Sequence, residues 1–209
     1  MKKTVLVSLI TIFPSLALAE HSTYVGANIG MGGIEEMEFD YGNAFNFSQE
    51  SGKLSYGIQS GILFDSSMSE KFKYGVEIGY TSYATNKYKI DDFSMDYDGY
   101  NVSLLGVLKY QLSDSFGVVG KFGGAYTAQE VDLNKVVKVK ESEILPKVAL
   151  QVAYDVSDNI TLTVGFEHIF GDEIDTFKKG SDLSDESLIK GSKKIASVST
   201  MNIGVAYNF

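Results

Sequence analysis

Residues 198–209 read V-S-T-M-N-I-G-V-A-Y-N-F and end on an aromatic. Met201, Ile203, Val205, Tyr207 and Phe209 fall on one parity, and Thr200, Asn202, Gly204, Ala206 and Asn208 on the other. Successive residues of a strand point to opposite faces, so this is a strand with one apolar face and one small or polar face. A strand of a soluble sandwich can alternate in the same way; position and repetition make the difference. If the apolar parity meets lipid and the polar parity a lumen, every backbone N–H and C=O must find a partner within the protein, since a bare one in hydrocarbon is costly. The strand then needs neighbours on both sides, and the sheet has to close.

Seven further stretches alternate: residues 24–31, 54–64, 72–80, 100–112, 116–128, 148–156 and 160–170. In the clearest, Phe72, Tyr74, Val76, Ile78 and Tyr80 alternate with Lys73, Gly75, Glu77 and Gly79; in 100–112 the polar parity is broken by Leu105 and Val107. About eight strands is the smallest even number found in bacterial outer-membrane barrels. The connections alternate too. Residues 65–70, 113–115 and 157–159 are short and rich in Ser, Asp and Asn, which favour tight turns, whereas 32–50, 84–98, 129–143 and 171–195 are long. The expected fold is all-β: an eight-stranded antiparallel transmembrane β-barrel with short periplasmic turns and four long extracellular loops. Aromatics on the lipid parity sort into two girdles, with Phe64, Phe72, Tyr74, Tyr110, Phe116, Tyr154, Tyr207 and Phe209 toward the short turns and Tyr56, Tyr80, Tyr100, Tyr126 and Phe170 toward the long connections.

Residues 1–19 carry Lys2 and Lys3, an apolar run and Ala17-Leu18-Ala19, the pattern of a secretory signal. The run is shorter than the ~20 residues of a spanning helix, and no later run is long enough either. The expected division is 1–19 signal peptide and 20–209 outer-membrane β-barrel. The 209 residues include no Cys and 27 Asp+Glu against 18 Lys+Arg; losing Lys2 and Lys3 leaves 16 basic residues and a charge of −11. Such an acidic chain is a poor nucleic-acid binder. Without cysteine, no disulfide staples the fold.

The interior of an eight-stranded barrel is just wide enough for side chains to fill. On the inward parity lie Lys73, Lys109, Lys121 and Lys147, with Glu77, Glu167 and Gln151, and Asp155 near the periplasmic mouth. Counting from the turn at Asp158 sets Lys147 and Glu167 nearly opposite on paired strands, which predicts a cross-strand ion pair. Buried charges require partners, and that favours a plugged interior over an open pore.

The leader, the alternating segments, the two classes of connection and the terminal Phe209 resemble the small outer-membrane barrels related to the transmembrane domain of outer membrane protein A and to the opacity-type surface proteins. The resemblance covers the whole mature chain. It implies that Ile203, Val205, Tyr207 and Phe209 form the signal read by the barrel-assembly machinery. It also implies residence in the bacterial outer membrane among lipid and lipopolysaccharide, and a surface protein whose loops serve adhesion or binding of host or extracellular proteins. A small-solute or ion channel is the alternative, with a lipid-modifying barrel enzyme behind it.

His168 stands on the lipid parity near the outer rim, where barrel deacylases place a catalytic histidine. Those enzymes carry Ser two residues later, and Phe170 occupies that position. No catalysis, cofactor or metal site is therefore expected. Asp91, Asp92, Asp96 and Asp98, in the second long segment, lack the spacing of a calcium loop and read as a solvated acidic loop. Pro146 removes a strand donor near the outer end of its segment, where a bulge or frayed rim is expected to tolerate it and to displace Lys147 slightly. The contact-forming residues fall to the long segments. The first mixes Glu35, Glu36, Glu38 and Asp40 with Phe39, Tyr41, Phe45 and Phe47, and the last has a short helix expected around 183–189.

Overall fold

Period-two alternation in stretches rich in β-branched and aromatic residues suits pleated strands, and the computed structural model is built of them. It describes residues 21–34, 39–40, 47–50, 54–67, 69–90, 93–133, 137–171, 177–178 and 195–209. The strands in chain order are β1 (His21–Ile34), β2 (Phe39–Asp40), β3 (Phe47–Glu50), β4 (Leu54–Ser66), β5 (Ser69–Ile90), β6 (Phe93–Gln111), β7 (Phe116–Leu133), β8 (Val137–Ser157), β9 (Ile160–Ile169), β10 (Phe177–Lys178) and β11 (Val198–Asn208). Eight of them, β1, β4, β5, β6, β7, β8, β9 and β11, pair antiparallel in a ring. The ring closes where β1 meets β11 on one side and β4 on the other. The backbone of β3 adds to the outer part of β5, and β2 pairs parallel with β10. The leader, the helix expected at 183–189 and most of the first long segment lie outside the described residues.

Sidedness follows the alternation. Val76 and Ile78 are 51% and 46% exposed on the outer surface, while Glu77 between them is 4% exposed. The terminal strand behaves alike, with Met201, Ile203, Val205, Tyr207 and Phe209 exposed and Asn202 and Ala206 buried. Outward rings meet in pairs at both ends. Phe116 lies 4.8 Å from Tyr154 and Tyr207 5.1 Å from Phe209 near the short turns, and Tyr80 stacks on Tyr100 at 5.9 Å near the other end.

Two of the four long connections differ from open loops. β5 and β6 stay paired up to Ile90 opposite Phe93, and β7 and β8 up to Leu133 opposite Val137. β6 also stays paired with β7 as far as Met95 opposite Leu133, so the four strands continue as one upright sheet. Pro146 neither bulges nor frays its strand: it stays in register opposite Gly124, and Lys147 keeps its inward position. In an antiparallel strand a residue's N–H and C=O point the same way. The Pro146 carbonyl accepts from Phe170 N–H at 3.0 Å on the β9 side, so the missing donor faces the place where β9 has ended.

The interior is less uniformly polar than the alternation suggests. Leu63, Val107 and Val119 point inward and pack with the Tyr24 ring, Ala153 and Ala206 as an apolar belt. Leu105 and Val107, which break the polar parity of β6, are each 2% exposed inside the barrel.

Candidate functional site

The charged groups of the interior sort into layers around that belt. On the turn side, Lys109 on β6 reaches Asp155 on β8 at 3.3 Å. The same carboxylate accepts from Gln111 Nε2 at 3.1 Å and Thr161 Oγ1 at 2.6 Å. Beyond the belt, Lys121 Nζ on β7 donates across the lumen to Glu77 Oε2 on β5 at 2.7 Å, and the Tyr24 hydroxyl from β1 donates to that same oxygen at 2.7 Å. Farther from the turns, Lys147 meets Glu167 at 2.8 Å. The register sets Ala149 opposite Glu167, so this contact runs diagonally between β8 and β9. Gln151 Nε2 donates to Asn202 Oδ1 at 3.5 Å in the same region. Lys73 stands apart: it meets Asp65 at 2.9 Å near a turn, with both side chains partly in solvent.

A cavity of about 50 Å³ lies between the belt, Lys109, Lys121 and Gln151. That is room for a few water molecules, at about 10–15 Å³ of such space for each. The end away from the turns is stoppered by the chain itself. Gln129 on β7 donates through Nε2 to the Ala196 carbonyl at 2.9 Å and accepts from Ala196 N–H at 2.9 Å, across a separation of 67 residues. This draws Ile195 and Ala196 into the mouth, where they are buried together with Ile169, Val198 and Leu145. By sequence alone residue 195 only ends a long connection; the run I-A-S-V at 195–198, apolar after a charged stretch, is the signal that could have marked the stopper. Among the described residues, ion pairs, the apolar belt and the Gln129–Ala196 contact occupy the interior, so planar-bilayer recording of the purified barrel is expected to show no stable conductance. Large, steady channels would overturn the filled interior.

Two features mark the outer surface. At the turn end, Phe209 N–H donates to the Thr23 carbonyl at 2.9 Å and Asn208 N–H to the Asn159 carbonyl at 2.8 Å, which pins the terminal strand on both sides. At the other end, the outward His168 does have a serine beside it. Ser199 lies directly opposite on β11, and its Oγ is 2.8 Å from His168 Nδ1. The two residues are 31 apart in sequence, so a local motif search misses them, and only the β9–β11 register brings them together. The side chains of Asp91, Asp92 and Asp96 lie outside the described residues.

A family model described as outer membrane protein beta-barrel domain matches residues 5–209. Among solved structures, a major outer membrane protein from Thermus thermophilus is 17% identical with a TM-score of 0.54, covering 90% of this chain and 99% of that one. Ail, the attachment invasion locus protein of Yersinia pestis, in complex with the heparin analogue sucrose octasulfate, is 11% identical with a TM-score of 0.52, covering 91% and 99%. The N-terminal β-barrel domain of Pseudomonas aeruginosa OprF is 13% identical with a TM-score of 0.50, covering 90% and 97%. No curated protein matches the sequence.

Proposed function

The chain belongs to the outer membrane protein beta-barrel domain family and resides in the bacterial outer membrane, and from that premise we propose that it is a surface protein acting through its extracellular segments, with a closed barrel as anchor. The observation that carries this reading is the upright sheet of β5–β8. β5 has 22 residues and β8 has 21, whereas β9 ends after 10, so one side of the barrel rises well above the membrane. A rigid barrel that lifts strands clear of the lipid presents surface to a partner. The filled interior disfavours the channel alternative.

Charge narrows the partner. Residues 32–50, 84–98, 129–143 and 171–195 together hold 19 acidic against 10 basic residues. Complementarity then favours a basic protein surface over a polyanion. Ail binds a heparin analogue; for this chain a heparin-like ligand serves as the negative comparison. Cells displaying the barrel are expected to retain basic extracellular proteins at low salt, and to lose them when the β5–β6 and β7–β8 hairpins are cut to tight turns at the rim. Equal retention after both hairpins are shortened would end this reading.

Assembly is proposed to depend on Ile203, Val205, Tyr207 and Phe209, the lipid-facing row of the last strand. Deleting Phe209 removes the Thr23 contact and one ring of the Tyr207 pair. The expected result is slower appearance of the heat-modifiable folded form on gels of outer-membrane fractions. An unchanged rate would argue that Phe209 is only a girdle aromatic.

A further inference from the structure

The pair at the outer rim has the parts of a nucleophilic site. In the Nε2–H tautomer, His168 Nδ1 accepts the Ser199 hydroxyl proton across 2.8 Å, the contact a general base needs to activate a serine. The imidazole is held by rings: Phe166 stacks at an interplanar angle of 13°, and Phe170 meets it edge-on with centroids 4.4 Å apart. On the other flank of Ser199 stands Gly33 of β1, directly opposite and without a side chain. Its neighbour Gly32 has φ 109°, and a Cβ there would fall 2.4 Å from the Ser199 carbonyl oxygen, so β1 lies tight against β11. Ser199 thus stands in register between His168 of β9 and Gly33 of β1. Met31 and Met201, both well exposed, form an apolar floor toward the membrane interior.

Depth identifies the substrate class. Eight residues separate His168 from Ile160 at the turn end of β9, roughly 20 Å of rise for a tilted strand, near the top of an apolar band about 25 Å tall. Lipid acyl esters lie at that boundary. We propose that Ser199 and His168 form a nucleophile–base dyad that hydrolyses a fatty-acyl ester of an outer-leaflet lipid. Ser199 Oγ attacks the ester carbonyl as His168 takes its proton. The C–O bond to the alcohol breaks, His168 protonates the leaving oxygen, and the acyl group remains on Ser199. Water then attacks the acyl-serine with His168 again accepting the proton, which releases the fatty acid and restores the serine. The acyl chain runs down over Met201 and Met31. Among the described residues no carboxylate contacts the imidazole, so the expected turnover is that of a dyad held by aromatic packing.

The test uses the full barrel in vesicles of phosphatidylethanolamine and, separately, in vesicles containing lipopolysaccharide, which distinguishes the two sources of ester. A fluorophosphonate probe is expected to label Ser199, located by peptide mass, and fatty acid is expected to be released in at least one vesicle type. His168→Gln should slow labelling by roughly 100-fold or more, and Ser199→Ala should abolish both signals. Both side chains face lipid, so heat-modifiable migration of the variants should match the parent and separates loss of chemistry from loss of fold. Absence of label on Ser199, equal labelling in His168→Gln, or label without fatty-acid release from either vesicle each overturns the proposal.

Discussion

Replacing Glu77 with leucine is expected to destabilise the barrel by about 3–5 kcal/mol, the cost of leaving one member of a buried ion pair without its partner. Glu77 receives both the Lys121 ammonium and the Tyr24 hydroxyl, and the side chains of Glu77 and Lys121 are only 5% and 6% exposed. With leucine at 77, the ammonium of Lys121 loses the carboxylate it contacts. Adding Lys121→Met should recover most of the loss, since a buried pair is often replaceable by apolar groups of similar size at little net cost. The contrasting pair is Lys73 with Asp65, at 35% and 45% exposure; Lys73→Met should cost no more than ~1 kcal/mol. Urea titration in lipid vesicles, followed by loss of the compact gel band, reads all three. Equal losses for Glu77→Leu and Lys73→Met would remove burial as the cause.

Ile203→Lys is expected to cost about 2–4 kcal/mol, because it sets an ammonium against acyl chains near the middle of the membrane. Ile203 is 61% exposed on the outer surface, between Val164 of β9 and Ile29 of β1, all on the lipid-facing parity. The same change at Tyr207, close to the turn-side girdle, should cost only ~0–1 kcal/mol, since the lysine can reach the interface. Depth rather than side-chain volume decides between the two. The same vesicle titration checks it: if Tyr207→Lys proves as damaging as Ile203→Lys, the outer surface does not meet a membrane of graded polarity.

The eight strands and their sidedness were legible because a strand has a side-chain period of two, and a closed barrel in lipid forces every strand to keep it. Residues 72–80 and 198–209 show this with few interruptions. The pairing of Lys147 with Glu167 was legible for a related reason: one short turn joins β8 to β9, so counting from Asp158 sets the register. The same counting could not predict that β5–β8 continue upward as one sheet, because residues 84–98 and 129–143 lose the apolar parity once they leave the lipid, although their backbone stays paired.

What the sequence by itself determined is therefore everything governed by local period and by short turns: strand number, inward and outward faces, aromatic girdles and the Lys147 contact. Only the tertiary structure decided which groups meet across the lumen or across a long connection. Glu77 and Lys121 lie on β5 and β7 and are not strand neighbours; they meet because closure of the ring sets the width of the interior. Gln129 captures Ala196, and His168 meets Ser199, because closure and the β9–β11 register bring together residues that a long intervening segment leaves unrelated in sequence. A period of two fixes the direction of each side chain, but its partner depends on the curvature and stagger of the whole sheet, which no single stretch encodes.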